Sequence, residues 1–118
     1  MELDKDLKAR QQARTLARQA QSAQKLLAQM PQQKLDAIVR SVADAFAAAA
    51  TELAEMAVRE TGFGNVNDKI TKNEFASRTL LSAIEGKTCV GVLKEDAREK
   101  LWEVGVPVGV IGAIVPST

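Results

Sequence analysis

The feature that most constrains the fold is the uncharged run Val104 to Thr118, VGVPVGVIGAIVPST. Its apolar residues show no helical spacing, and Gly105, Gly109 and Gly112 would weaken a helix. A short apolar run rich in β-branched residues and closed by Pro116 reads as a strand over about 109–115, covered on both faces. Such a strand needs strands beside it and helices above and below, and only two residues follow Pro116. The expectation is that these 118 residues open a larger α/β protein. Taken alone they read as α+β: three to four helices, then two or three strands.

The helices come first. Residues 3–29 predict one amphipathic helix, with Leu3, Leu7, Ala13, Leu16, Ala20, Ala23, Leu27 and Met30 recurring at mostly three- and four-residue spacing. Its apolar face is narrow and Ala-rich. Pro31 ends it and suits the first turn of the next. A second helical region spans 32–61, on a stripe of Leu35, Ile38, Val39, Val42, Phe46, Leu53 and Met56. The run Ala47–Ala50 followed by Thr51 allows a break, with Thr51 as a cap. Gly62 supplies a left-handed stop. A third helix is expected over 66–85, its apolar side interrupted by polar residues around Asn73 and Ser77. Strands are then expected at about 88–93, 101–106 and 109–115, with 94–100 as a charged connection.

Charge and composition remove several functions. Sixteen basic residues against fifteen acidic ones leave a net charge of +1, which offers no field for nucleic acid or an anionic membrane. Residues 1–30 are locally basic, but their acids come first and their bases follow, as a helix dipole favours, and no aromatic residue interleaves the bases. The uncharged run is too short and too rich in Gly and Pro to span a membrane. One cysteine excludes an intrachain disulfide and fits a reducing compartment, and the charged N-terminus is not a secretory signal. The chain is therefore expected to be soluble and cytoplasmic. With no histidine and no tyrosine, two common acid–base residues and the commonest metal ligand are missing, so no metal is expected.

Local candidates for chemistry are few. Cys89 is the only thiol, with Lys87 nearby and no histidine to activate it, and reads as a small packing residue. Gly105, Gly109 and Gly112 precede and occupy the expected strand, where a dinucleotide fingerprint needs its glycines between strand and helix; they read as close-packing positions. Gly62-Phe63-Gly64 reads as a helix stop and turn. Lys69, Lys72 and Asn73 share one helical side and read as a solvated face, with phosphate binding as the sharper alternative. Trp102, the sole Trp, lies in the strand before Pro107.

Three stretches together carry a resemblance: MAVRETGFGNVNDKITKNEFAS (56–77), GKTCVGVLKED (86–96) and VGVPVGVIGAIVPST (104–118). They resemble, in order and spacing, the N-terminal region of CoA-acylating aldehyde dehydrogenases. The match runs through residues 31–118, and the first helix matches in general character. The ETGFG…DK…KNEFAS run is similar to the acylating branch, and PVGVIGAIVP is common to the wider superfamily. The resemblance implies an α/β parent that converts a small aldehyde, coenzyme A and NAD or NADP into an acyl-CoA through a cysteine thiolate, without a metal, in a homo-oligomer. It also implies that the nucleophilic cysteine and the oxyanion asparagine lie beyond Thr118, so the 118 residues alone would be inactive. Only Ile114, Val115, Pro116, Ser117 and Thr118 carry over as cofactor-bordering residues, at the carboxyl end of a strand where open α/β sheets hold ligands.

A reading of a different class is a non-catalytic helical assembly module, in which residues 3–29 bind a full-length relative or a bacterial microcompartment shell. The Gln-, Arg- and Ala-rich character of that helix argues against shell targeting. Under the first reading the run 104–115 is an aggregation hazard, β-prone and uncharged.

Overall fold

The computed structural model describes residues 4–116. It divides into two compact units, one holding 4–31 and 89–113, the other 32–88 and 114–116.

In the first unit, α1 spans Lys5–Leu27, with Asp4 in extended backbone as its N-cap. Asp4 O accepts from Lys8 N at 3.0 Å, and bonds from Gln29 N to Leu26 O and from Met30 N to Leu27 O tighten the far end before Pro31. None of its described residues is buried. The stripe positions Ala20, Ala23, Leu27 and Met30 line an open groove of about 490 Å³ with Gly109, Val110 and Ile111. The rest of this unit is an antiparallel hairpin of β1 (Gly91–Asp96) and β2 (Leu101–Gly105), in which Val92 faces Val104 and Glu95 faces Trp102. A bulge at position 93 shifts the register between Val92 and Lys94. Asp96 Oδ1 accepts from Arg98 N and Glu99 N, each at 3.0 Å, and so closes the turn.

The hairpin corrects two expectations. The first strand lies at 91–96, where 88–93 was expected, and it runs into the charged stretch read as a connection. A two-stranded ladder with both faces largely exposed sets no burial penalty on Lys94 and Glu95, and Asp96 is needed at the turn. The buried strand expected at 109–115 is not formed: among the described residues 106–116 have no strand partner, and Val108 and Ile114 are 89% and 99% exposed. β-propensity records fit to a half-buried pleated surface, and without neighbouring strands this segment has none.

In the second unit, α2 (Gln32–Ala48) and α3 (Ala50–Thr61) break at Ala49, at φ −92° and ψ 5°. The break falls before Thr51, which lies inside α3 and caps nothing. Gly62 ends α3 in the left-handed region at φ 69°, its N–H donating to Val58 O. α4 (Val66–Glu74) follows, then a π turn (Phe75–Thr79), then α5 (Leu80–Ile84). Gly86, at φ 79°, stands just past its end. An ion pair joins Arg40 to Glu85. Among the described residues the buried apolar ones are small: Ala47 near the end of α2, and Ala50 and Ala54 of α3, which packs on α4. The larger stripe of α2 is only partly covered. Ile38, Val39, Val42 and Phe46 line an open groove of about 310 Å³ with Leu80, Leu81 and Ile84.

Candidate functional site

The turn between α3 and α4 is built by residues whose local preferences agree. Thr61 Oγ1 donates back to Ala57 O at 2.7 Å and accepts from Phe63 N at 3.1 Å, and Gly62 and Gly64 both take positive φ. Asn65, in extended backbone, is the N-cap of α4: its Oδ1 accepts from Asp68 N at 2.9 Å, and its Nδ2 donates to Asp68 Oδ2 at 2.6 Å. The chain thus enters α4 at a fixed angle.

That angle turns one polar row of the helix against α3. Lys69, Asn73 and Ser77, spaced by four, are all buried. Asn73 Nδ2 donates to Ala50 O at 3.0 Å, tying α4 to α3 through residues 23 apart in the chain. Ser77 Oγ donates to Asn73 O at 2.7 Å, inside the π turn. Lys69 is 8% exposed, and its side chain runs back over Gly64: a Cβ placed on that glycine would lie 3.3 Å from Lys69 Cε and 3.8 Å from Nζ. The solvated-face reading of Lys69 and Asn73 is therefore overturned. Ala50 and Ala54 bring the α3 backbone close enough to need donors opposite it. The signal was present in the sequence as the polar interruptions at 73 and 77 of an otherwise apolar side.

Chemically this row can hold charge and fix geometry. It contains no thiol and no general base, and Asn73 and Ser77 are committed to backbone oxygens. Cys89 is exposed and precedes β1. Among the described residues no group of three His, Cys, Asp or Glu side chains could hold a metal, and no helix is long and apolar enough to cross a membrane.

The five cofactor-bordering candidates are not gathered into a pocket. Ile114 and Val115 are 99% and 85% exposed, Pro116 is exposed, and Ser117 and Thr118 lie outside the described residues.

The model of the aldehyde dehydrogenase family matches residues 5–117. An acylating sulfoacetaldehyde dehydrogenase of Cupriavidus necator is 43% identical over 101 residues, covering 84% of this chain and 20% of that protein. The bifunctional aldehyde-alcohol dehydrogenase of Escherichia coli K12 is 40% identical over 103 residues, covering 87% and 12%. The crystal structure of an acetylating aldehyde dehydrogenase from Geobacillus thermoglucosidasius superposes with a TM-score of 0.84 at 42% identity, covering 87% of this chain and 23% of that one. The chain thus spans at most about a quarter of the length of these three proteins.

Proposed function

Because the chain belongs to the aldehyde dehydrogenase family, we propose that it supplies the N-terminal portion of a CoA-acylating enzyme that turns an aldehyde, coenzyme A and NAD(P)+ into an acyl-CoA and NAD(P)H. The observation that carries this reading is the agreement of fold and sequence with the acetylating enzyme over 87% of the chain. The acylating name of the Cupriavidus necator relative supports the same branch.

The chain's own residues do structural work in this scheme. The seam of Asn73 and Ser77 fixes α4 against α3. The run 104–116 presents a β-prone, uncharged segment that strands of the rest of a sheet would cover. We place Ile114, Val115, Pro116, Ser117 and Thr118 at the border of the dinucleotide in the whole enzyme. The described members, Ile114 to Pro116, do not fit a dinucleotide by themselves, being exposed on an unpaired segment, so no chemical step is routed through it here. Cys89 is not the nucleophile in this reading. The whole protein is expected to form a homo-oligomer and to act in the cytoplasm.

The test joins a mass and an assay. The intact mass of the native protein in its source should be several times 12.7 kDa, and that species should form NAD(P)H from an aldehyde only when coenzyme A is present. The purified 118-residue chain should form none. Turnover by the short chain that is lost in Cys89→Ala would overturn the proposal.

The second reading, an assembly module, is favoured by one observation: no described residue of α1 is buried. Residues 1–30 would then capture a full-length relative or a shell protein, and failure to retain either in a pull-down removes that reading.

A further inference from the structure

We propose that α1 docks an acidic helix of a partner protein, whose carboxylates, spaced by four residues, pair with the row Arg10, Arg14 and Arg18. An acidic-helix partner gives a chemistry to the second reading above, on which it rests, that α1 binds another protein. The dehydrogenase reading is not needed for it.

From Leu7 to Leu35 the sequence holds no acid, while Arg10, Arg14 and Arg18 follow one another at four-residue spacing. On α1 that spacing stacks them into one row, with successive side chains about 6 Å apart along the axis. A helix dipole acts within the end turns, so it accounts for Lys25 and not for arginines in mid-helix. Like charges four residues apart weaken the helix that carries them. Arg14 and Arg18 have no acid three or four residues to either side. All three arginines are exposed, and among the described residues none of them makes an ion pair. The charge of the row is therefore left for a molecule outside the chain to compensate. α1 also turns the row outward. Its half-buried positions are Ala20 and Gln24, which line the groove with Gly109, Val110 and Ile111. Arg14, the centre of the row, lies about 100° round the helix from that side.

The form of the row selects a helix as the occupant. Side chains spaced by four make a ridge, and a second helix carries an acidic ridge of the same repeat, so that each guanidinium meets a carboxylate in register. Short residues border the row. Ala17 stands on one side, and Thr15 and Ser22 on the other, their hydroxyls donating back to Gln11 O at 3.0 Å and Arg18 O at 3.2 Å. They leave room beside the guanidinium groups for a partner's ridge. Arginine pairs with a carboxylate through two parallel N–H bonds, which lysine does not. A lipid surface fits less well, because interfacial helices bury large apolar and aromatic residues. α1 has no aromatic residue, and its Ala-rich stripe meets 109–111. Single-stranded nucleic acid would find no aromatic side chain on α1 to stack against.

The test uses the full 118-residue chain and two fluorescein-labelled helical peptides of one composition, rich in Ala and Gln with three Glu. In one peptide the glutamates are spaced by four and form a row. In the other they are spaced by five, which spreads them round the helix. Fluorescence anisotropy at low salt should show the row peptide binding about tenfold more tightly, the sum expected of three exposed ion pairs. Arg14→Gln with Arg18→Gln should bring the two peptides to equal affinity, and Arg14→Lys with Arg18→Lys should keep part of the preference. Both positions are exposed, so the helical circular dichroism of these variants should match that of the parent. If a variant loses helix, the two peptides on the parent chain decide alone. Equal affinity of the parent chain for the two peptides overturns the proposal, as does tighter binding to phosphatidylserine vesicles or to a single-stranded oligonucleotide than to the row peptide. A pull-down that retains neither a relative nor a shell protein, with the row preference intact, points to another acidic partner. Loss of the preference removes the acidic helix whatever the pull-down retains.

Discussion

Replacing Asn73 by Ala tests whether the buried polar row holds α3 and α4 together. Its amide donates to Ala50 O at 3.0 Å across a boundary otherwise lined by alanines, with Ala50 and Ala54 almost fully buried. The loss of a neutral hydrogen bond costs about 1 kcal/mol net. Ala50 O stands at the start of α3 and keeps its intrahelical acceptor role, so the full penalty of an orphaned carbonyl does not apply. The void left by the amide adds a similar amount, because closely packed helix backbones collapse only in part. The sum is about 2 kcal/mol. Asn73→Asp keeps the shape but sets an oxygen against an oxygen and buries a charge, so it should cost more, about 3 kcal/mol. Ser77→Ala is the internal control. Its hydroxyl bonds within the same helix, to Asn73 O and Glu74 O, and alanine removes a polar group without orphaning a partner, so the change should stay within about 0.5 kcal/mol.

Urea unfolding of the dilute chain, followed by helical circular dichroism, reads all three variants. With a slope of about 2 kcal/mol per molar urea, Asn73→Ala should lower the midpoint by about 1 M. The reasoning fails if Asn73→Ala unfolds within about 0.5 kcal/mol of the parent, or if Asn73→Asp is no worse than Asn73→Ala.

The same row shows where sequence reading reaches its limit. The stop at Gly62 and the start near Asn65 were legible because they rest on local chemistry: a left-handed residue, and a side chain that caps its own helix. Asn73 and Ser77 showed only as interruptions of an apolar side, and the burial of the row from Lys69 to Ser77 was not legible, because periodicity assigns polar positions to solvent. Their burial depends on how small the facing residues of the preceding helix, α3, are, a fact about approach distance that no single segment carries. The π turn at 75–79 is illegible for a related reason. It rewires the hydrogen-bond ladder without changing residue types, and Phe75, a natural core candidate, is left 65% exposed. In the hairpin, charge misled the reading. Lys94 and Glu95 suggested a connection, but an exposed ladder tolerates them, and Lys94 pairs loosely with Glu103 at 3.9 Å. At 109–115 the β-propensity was read correctly and its consequence was not, since a strand exists only as one side of a pair. The site residues 114–118 rest on resemblance; no local pattern in the chain marks them.

The remaining predictions concern two glycines and the exposed run. Gly62→Ala should cost only the left-handed conformation, about 1 kcal/mol, since no atom lies within 4 Å of the added Cβ. Gly105→Ala would place a Cβ 2.3 Å from Cys89 O and 2.8 Å from Cys89 C, both backbone atoms, so it should cost about 3 kcal/mol and abolish protection of the hairpin amides from hydrogen exchange. Equal protection in the two variants would show that the close approach at Gly105 does not exist in solution. The last prediction concerns association. Val108 and Ile114 are 89% and 99% exposed on an uncharged, β-prone segment with no strand partner, so the isolated chain should self-associate through it. Val108→Lys and Ile114→Lys together should convert the associated form to a monomer in sedimentation velocity. They should leave the urea midpoint unchanged, because neither side chain has a contact to lose. Persistence of the larger species would move the association to another surface, the exposed Leu16 and Leu26 of α1 being the next to test, whereas a monomer with a lowered midpoint would mean that the run is packed in solution.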